Sequence, residues 1–228
     1  MRYIRNVPRR FTLALLGATG LVGGEVLRLA AAEPRFSRIV ALVRRPMPAP
    51  PRAVAKEPAI DIAVIDFRRP EEWRSRLCVD AIVCALGTTI RKAGSRERFR
   101  EVDYDLPLGI ATLGREAGAR HFLLVSALGA DPRSRVFYSR TKGLLEEAVR
   151  ALGYPSLTLV RPSLLLGDRG ELRLAEELGK RLSFLAPPRY KPVTATSVAA
   201  ALLACALSPA PGVRIVESAE IPSLASRP

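Results

Sequence analysis

Tyr138-Ser139-Arg140-Thr141-Lys142 sets a phenol and an ammonium four residues apart, and on a helix that spacing puts both on one face. A lysine beside a tyrosine favours the phenolate, so Tyr138 can work as general acid or base toward a carbonyl or an alcohol, while Lys142 can also reach a ribose hydroxyl. Ser126 ends the apolar run 121–126 and can hydrogen-bond the same substrate oxygen. A Y-x-x-x-K alone occurs often by chance. Its weight comes from a second motif and from the order in which the two appear.

That second motif is Gly17-Ala18-Thr19-Gly20-Leu21-Val22-Gly23, the G-x-x-G-x-x-G spacing of a dinucleotide site. Such a site needs positive φ at the first glycine and no side chain where a pyrophosphate lies on a helix N-terminus. At the third glycine it needs close helix-to-strand contact. Leu42-Val43, ending the second apolar run, is followed by Arg44-Arg45 and no acidic residue. An acidic residue there reads a free ribose 2′-hydroxyl and arginine fits a 2′-phosphate, so NADP(H) is favoured over NAD(H). The alternative is that two of the 31 arginines fall there by chance.

The elements that must position these residues are legible as apolar runs at 11–16, 38–43, 60–66, 79–85, 121–126, 156–160 and 213–216. Their hydrophobicity is continuous rather than alternating, which predicts parallel strands covered on both faces. Helical patterns lie between them. Residues 21–32 carry Val22, Val26, Leu29 and Ala30 on one stripe, and 95–117 carry Phe99, Val102, Leu106 and Ile110. In 134–152, Leu145, Ala148 and Leu152 face inward, with Glu146, Glu147 and Arg150 outward. The proline-rich stretch 44–59 reads as a surface connection replacing a crossover helix, or else a linker. Further helices are expected at 171–184 and 196–207. The expected architecture is α/β: a single Rossmann-type, doubly wound parallel sheet. Residues 1–10 form a basic extension, 11–228 the NAD(P)-binding domain, and 163–207 a small C-terminal cap on the substrate side.

Composition narrows the classes. With 228 residues, 48% of them apolar, one domain is expected. A net charge of +14 admits an anionic partner, yet the arginines are scattered singly rather than gathered among aromatics, which argues against a specific nucleic-acid reader. Cys78, Cys84 and Cys205 are odd in number and lack metal spacing, and His121 is the single histidine, so no metal site is expected and a reduced compartment is favoured. Arg9-Arg10 before an apolar stretch resembles an export signal, but four glycines and then Glu25 break its core. A cytoplasmic protein without membrane contact is the expectation.

LGATGLVGGEVLRL, CALGTTIRKAGSRERFREVDYDLPLGIA, VSALGAD, FYSRTKGLLEEAV and TLVRPSLLLG together resemble the extended or atypical short-chain dehydrogenase/reductase superfamily. Within it they look like the branch of the human Tat-interactive tumour-suppressor protein and its bacterial relatives, over roughly residues 11–207. The resemblance implies Gly17, Thr19, Gly20, Leu21, Val22 and Gly23 at the pyrophosphate and Arg44 and Arg45 at the 2′-phosphate. It further implies Asp66 and Phe67 near adenine, Leu86, Gly87, Thr88 and Thr89 beside ribose and nicotinamide, and Pro162 on the nicotinamide side. Ser126, Tyr138 and Lys142 match the catalytic trio. One position departs: Asp103 stands where many members carry a proton-relay asparagine.

Two functions are therefore expected in competition. One is an NADP(H)-dependent oxidoreductase acting on a small carbonyl or alcohol, as a monomer or homodimer. The other is a non-catalytic NADP(H)-binding sensor. A semialdehyde dehydrogenase would need a cysteine nucleophile and a histidine base; Cys84 and His121 lie inside strand patterns and read as packing residues. Too few residues follow Arg161 for a nucleotide-sugar domain, and Trp73 reads as crossover packing.

Overall fold

Each apolar run becomes a strand: β1 (Phe11–Leu16), β2 (Phe36–Val43), β3 (Ala59–Val64), β4 (Ala81–Cys84), β5 (His121–Val125) and β6 (Ser156–Arg161). In this computed structural model, which describes residues 10–50, 58–166 and 190–226, they join Gly212–Glu217 in a seven-stranded sheet. Two short strands, β7 (Leu165–Leu166) and β8 (Val193–Thr194), pair apart from it, so Gly212–Glu217 is β9. The order is β3-β2-β1-β4-β5-β6-β9, and every neighbouring pair is parallel.

Alternate strand residues face opposite layers, both dry. Leu13, Leu15, Ile39, Ala41 and Val83 pack with Val22 and Val26 of α1 (Leu21–Ala31) on one face. Ala14, Leu16, Val40, Ile82 and Phe122 pack on the other, against helices contributed from the 106–151 region. Burial on both faces explains the unbroken apolar runs. At the entry of the central strands Thr12 and Asp80 grip one another. The Asp80 carboxylate accepts from the Thr12 amide at 2.9 Å and from its hydroxyl at 2.8 Å, while the Asp80 amide donates to that hydroxyl at 2.9 Å, fixing β1 against β4.

The long helix expected over 95–117 is one continuous run with a defect. After the short α2 (Pro70–Trp73) and α3 (Ile90–Ala93), α4 (Arg96–Arg100) passes through a π-turn at Glu101–Asp105 into α5 (Leu106–Glu116). Single π-turns inside helices often mark functional positions. The helix α6 (Phe137–Ala151) follows β5 and starts three residues later than the pattern predicts.

Two expectations change. Glu146 faces inward rather than outward, for reasons given below. Residues 195–207 do not belong to a cap: α7 (Ala195–Leu207) packs on α1 and buries Val198, Ala199 and Leu202 in the main core, with α8 (Ile221–Ala225) beside it. The described part of the expected cap is the β7–β8 pair. The helix expected at 171–184, the extension 1–9 with Arg9, and residues 51–57 lie outside the described residues. Residues 44–50 form no regular helix, and β3 joins β2 directly in the sheet, as a surface connection requires.

Candidate active site

At the carboxyl ends of β1 and β4 the chain leaves to opposite faces, α1 to one layer and α5 to the other, which opens a crevice. Gly17 turns at φ +87°, a conformation side chains rarely adopt, and a Cβ there would come 2.5 Å from the Ala85 carbonyl oxygen. At Gly23 a Cβ would lie 2.0 Å from the Gly17 carbonyl oxygen. Thr19, Gly20 and Leu21 are exposed at the mouth while Val22 and Gly23 are buried beneath it. No side chain caps α1 and its first turn holds no acidic residue. A loop lined by backbone on a helix N-terminus, with no competing negative charge, fits a pyrophosphate.

Arg44 and Arg45 are exposed immediately past Val43, where the strand beside β1 ends. At the next strand end, Asp66 accepts from the Arg68 amide at 3.0 Å and its carbonyl from the Trp73 indole at 2.9 Å. Phe67 meets Trp73 edge-on at 5.7 Å, so Trp73 packs the crossover as expected. Leu86, Gly87, Thr88 and Thr89 form the loop after β4, where the Thr89 hydroxyl accepts the Lys92 amide at 3.1 Å and so caps α3. These positions follow the carboxyl ends of β2, β3 and β4, on either side of β1 in the sheet. Pro162 is buried at the end of β6, and its carbonyl accepts the Leu128 amide at 2.9 Å.

Tyr138 and Lys142 sit one turn apart near the start of α6. The Tyr138 ring is half-buried against Phe99, centroids 5.6 Å apart. Lys142 is 4% exposed, and its Nζ forms an ion pair at 2.6 Å with Oδ1 of Asp103, itself 1% exposed on the π-turn. The other Asp103 oxygen accepts the Thr88 amide at 2.8 Å, tying helix, π-turn and the loop after β4 together. Burial opposes the charge on Lys142, but Asp103, with a smaller contribution from Tyr138, overrides it and holds the ammonium above its ordinary range.

Ser126 is placed differently from the other two. Its hydroxyl donates to Glu146 Oε1 at 2.6 Å, in a buried network that the sequence reading missed. Arg161 clasps the same carboxylate through Nε at 2.9 Å and Nη2 at 2.6 Å, and reaches Glu217 at 3.0 Å. This clasp is why Glu146 turns inward. The signal was available: Tyr138, Lys142 and Glu146 recur every four residues and share one helix face. The Glu146 hydrogen bond, with burial opposing it, raises the Arg161 guanidinium further.

Cys84 and His121 are packing residues. Burial pushes the Cys84 thiol up to about 11. His121 is buried with Nε2 at 2.9 Å from the Thr158 hydroxyl and Nδ1 without a hydrogen-bond partner, and burial pushes it down to about 4.

Comparison with known proteins decides the family. The model of the NAD(P)H-binding family matches residues 17–209, from the first glycine of the phosphate loop to beyond α7. The chain belongs to the NAD(P)H-binding family. It is similar to fungal proteins named FMP52, mitochondrial. The Eremothecium gossypii protein is 36% identical over 222 residues, 92% of this chain and 95% of the relative, and the Emericella nidulans protein 36% identical over 173 residues, 74% and 72%. Among solved structures, MoeE5 in complex with UDP-glucose and NAD superposes with a TM-score of 0.68 at 14% identity, over 94% of this chain and 81% of that one. The Bordetella bronchiseptica enzyme WbmH in complex with NAD+ gives 0.64 at 13%, over 92% and 76%. At such identities the likeness shows the Rossmann-like fold of this NAD(P)H-binding protein. The relatives' names overturn the cytoplasmic expectation, which rested on cysteine usage and on a broken apolar core. No helix among the described residues is long and apolar enough to cross a membrane.

Proposed function

We propose that the protein is an NADP(H)-dependent oxidoreductase of the short-chain dehydrogenase/reductase type, acting on a small carbonyl or alcohol. The observation that carries this reading is the placement of Tyr138 and Lys142 on one face of α6, with Lys142 Nζ against Gly87 in the loop after β4 and paired with the Asp103 that holds the Thr88 amide. When bound, the nicotinamide supplies or accepts hydride. The chain's own groups do the rest. Gly17, Thr19, Gly20, Leu21, Val22 and Gly23 would hold the pyrophosphate, Arg44 and Arg45 the 2′-phosphate, and Asp66 and Phe67 the adenine side. Leu86, Gly87, Thr88, Thr89, Lys142 and Pro162 would position ribose and nicotinamide. Tyr138 exchanges the proton with the substrate oxygen. For Ser126 to bind that oxygen, its hydroxyl must turn away from Glu146.

The motifs that resemble the Tat-interactive branch are consistent with the same reading, and the relatives' names support a mitochondrial setting for it. The partners are a small molecule and at most a second copy of the chain, with no specific nucleic acid and no membrane. Titration calorimetry with NADPH and NADH, followed by a screen of small aldehydes, ketones and quinones at the NADPH absorbance, tests the reading. Absence of nucleotide binding would sink it. A sensor reading draws on one observation, that Ser126 is engaged by Glu146. Binding of NADPH with no turnover, but altered capture of a partner protein, would favour that alternative.

A further inference from the structure

The amino ends of β1, β4, β5 and β6 border a cavity of about 340 Å³, at the opposite edge of the sheet from the crevice. That is many times the space one ordered water needs and lies within the range of small-molecule sites. Phe11, Pro155, Ala206 and Pro211 give it apolar walls. Its polar groups are few: Asp80, Arg120, His121 and Ser156. An apolar pocket with a small number of convergent polar groups is the usual composition of a ligand site.

Those polar groups are unequally engaged. The Asp80 carboxylate is held by the Thr12 amide and hydroxyl. The Arg120 side chain is exposed and has no hydrogen-bond or ion-pair partner among the described residues, so it is the charge open to a ligand. The Ser156 hydroxyl bonds to none of them either. His121 is 2% exposed, and alternation along β5 puts it on the sheet face of Leu123, in the layer that contains Ala206. Its Nε2 is spent on the Thr158 hydroxyl at 2.9 Å, while Nδ1 has no hydrogen-bond partner. Native folds rarely bury such a nitrogen unless a water, an ion or a ligand completes it. With the Thr158 hydroxyl donating to Nε2, the neutral ring carries its proton on Nδ1 and offers a donor.

We propose that this cavity is a second binding site, distinct from the crevice, for a small carboxylate with an apolar body. Arg120 pairs with the carboxylate, Ser156 and His121 supply hydrogen-bond donors to it, and the body lies against Phe11 and the proline walls. An inorganic anion would leave those walls wet, and a cation would meet Arg120 with Asp80 already held by Thr12. The proposal does not depend on the oxidoreductase reading above.

His121 is the single histidine, so its ring resonances in NMR report on this cavity alone. Titration of the full-length protein with benzoate near neutral pH should move them along a saturable curve. Benzyl alcohol, the same ring without the charge, should bind more weakly. Arg120→Met should weaken benzoate binding by roughly 10–100-fold, the worth of one charge-assisted hydrogen bond, and leave benzyl alcohol binding as it was. Arg120 is exposed, and its backbone amide rather than its side chain bonds to the Asp80 carbonyl, at 3.3 Å, so the variant keeps the fold. Resonances that benzoate does not move, or an equal benzoate affinity in Arg120→Met, overturn the proposal. Benzylamine binding more tightly than benzoate overturns it as well, since the cavity would then take cations through Asp80.

Discussion

Ser126 donates its hydroxyl to Glu146 Oε1 across 2.6 Å, joining the end of β5 to the middle of α6, two turns beyond Tyr138. The bond puts the serine in a structural network with Arg161 and Glu217 as much as in the crevice. Replacing Ser126 with alanine should therefore cost about 1 kcal/mol of stability, the usual worth of one hydrogen bond. Its effect on turnover should be well below that of losing the Tyr138 hydroxyl. Urea unfolding and steady-state kinetics on the same preparation measure both. A turnover loss as large as that of Tyr138→Phe, with stability unchanged, would return Ser126 to the substrate oxygen.

Glu146→Ala removes the centre of that network. Arg161 keeps Glu217 and is 19% exposed, so the expected cost is about 2–3 kcal/mol, below the range for a fully buried pair. Chemical denaturation reads it. A change under about 0.5 kcal/mol, typical of surface positions, would show that the clasp contributes nothing.

Tyr138→Phe should lower turnover of any accepted carbonyl by roughly 10²–10⁴, the range for a positioned general acid, and leave NADPH affinity nearly unchanged. Lys142→Ala should weaken both, because the proposed function gives the lysine a ribose hydroxyl to hold as well as the phenol to serve. Full activity in Tyr138→Phe would refute the assignment.

Exchange of Arg44-Arg45 for Asp-Ser should reverse the ratio of dissociation constants for NADPH and NADH in calorimetry. Equal or tighter NADH binding by the unmodified protein would show that these exposed arginines do not read a phosphate.

His121 gives the fold an acid dependence. Its folded pKa is depressed, to about 4 from an ordinary 6.5, because burial penalises the imidazolium. Stability from the neutral ring is present above pH 6.5 and is lost as pH falls toward 4, amounting to about 3 kcal/mol over that window. With one histidine in the chain, its ring resonances can be followed by NMR without assignment ambiguity. In His121→Gln the slope of stability against pH between 6.5 and 4 should flatten.

The strands, the glycine loop and the tyrosine helix were legible in the sequence because each rests on local pattern: continuous apolar runs, fixed glycine spacing, a period of four. Glu146 was misread for the opposite reason. Its inward turn depends on Arg161, which lies on β6 and meets it only once α6 has packed across the sheet. Asp103 could be flagged as unusual from its position, but its contact with Lys142 needs a π-turn, and no residue pattern announces that extra residue in the helical turn. Residues 195–207 were assigned to a cap with the rest of 163–207, as a late insertion covering the substrate side of the sheet. Their predominantly apolar surface instead packs against α1.

The clasp between Thr12 and Asp80 joins residues 68 positions apart, and it lies at the foot of the two strands whose tops frame the phosphate loop. During synthesis the glycine motif emerges early, yet the carbonyl of Ala85 that backs Gly17 arrives only after β4. Nascent chains arrested before that strand has emerged should display the motif intact in sequence and be unable to retain nucleotide. Those extended past β5 should gain that capacity abruptly, making nucleotide capture a timer for completion of the sheet's centre.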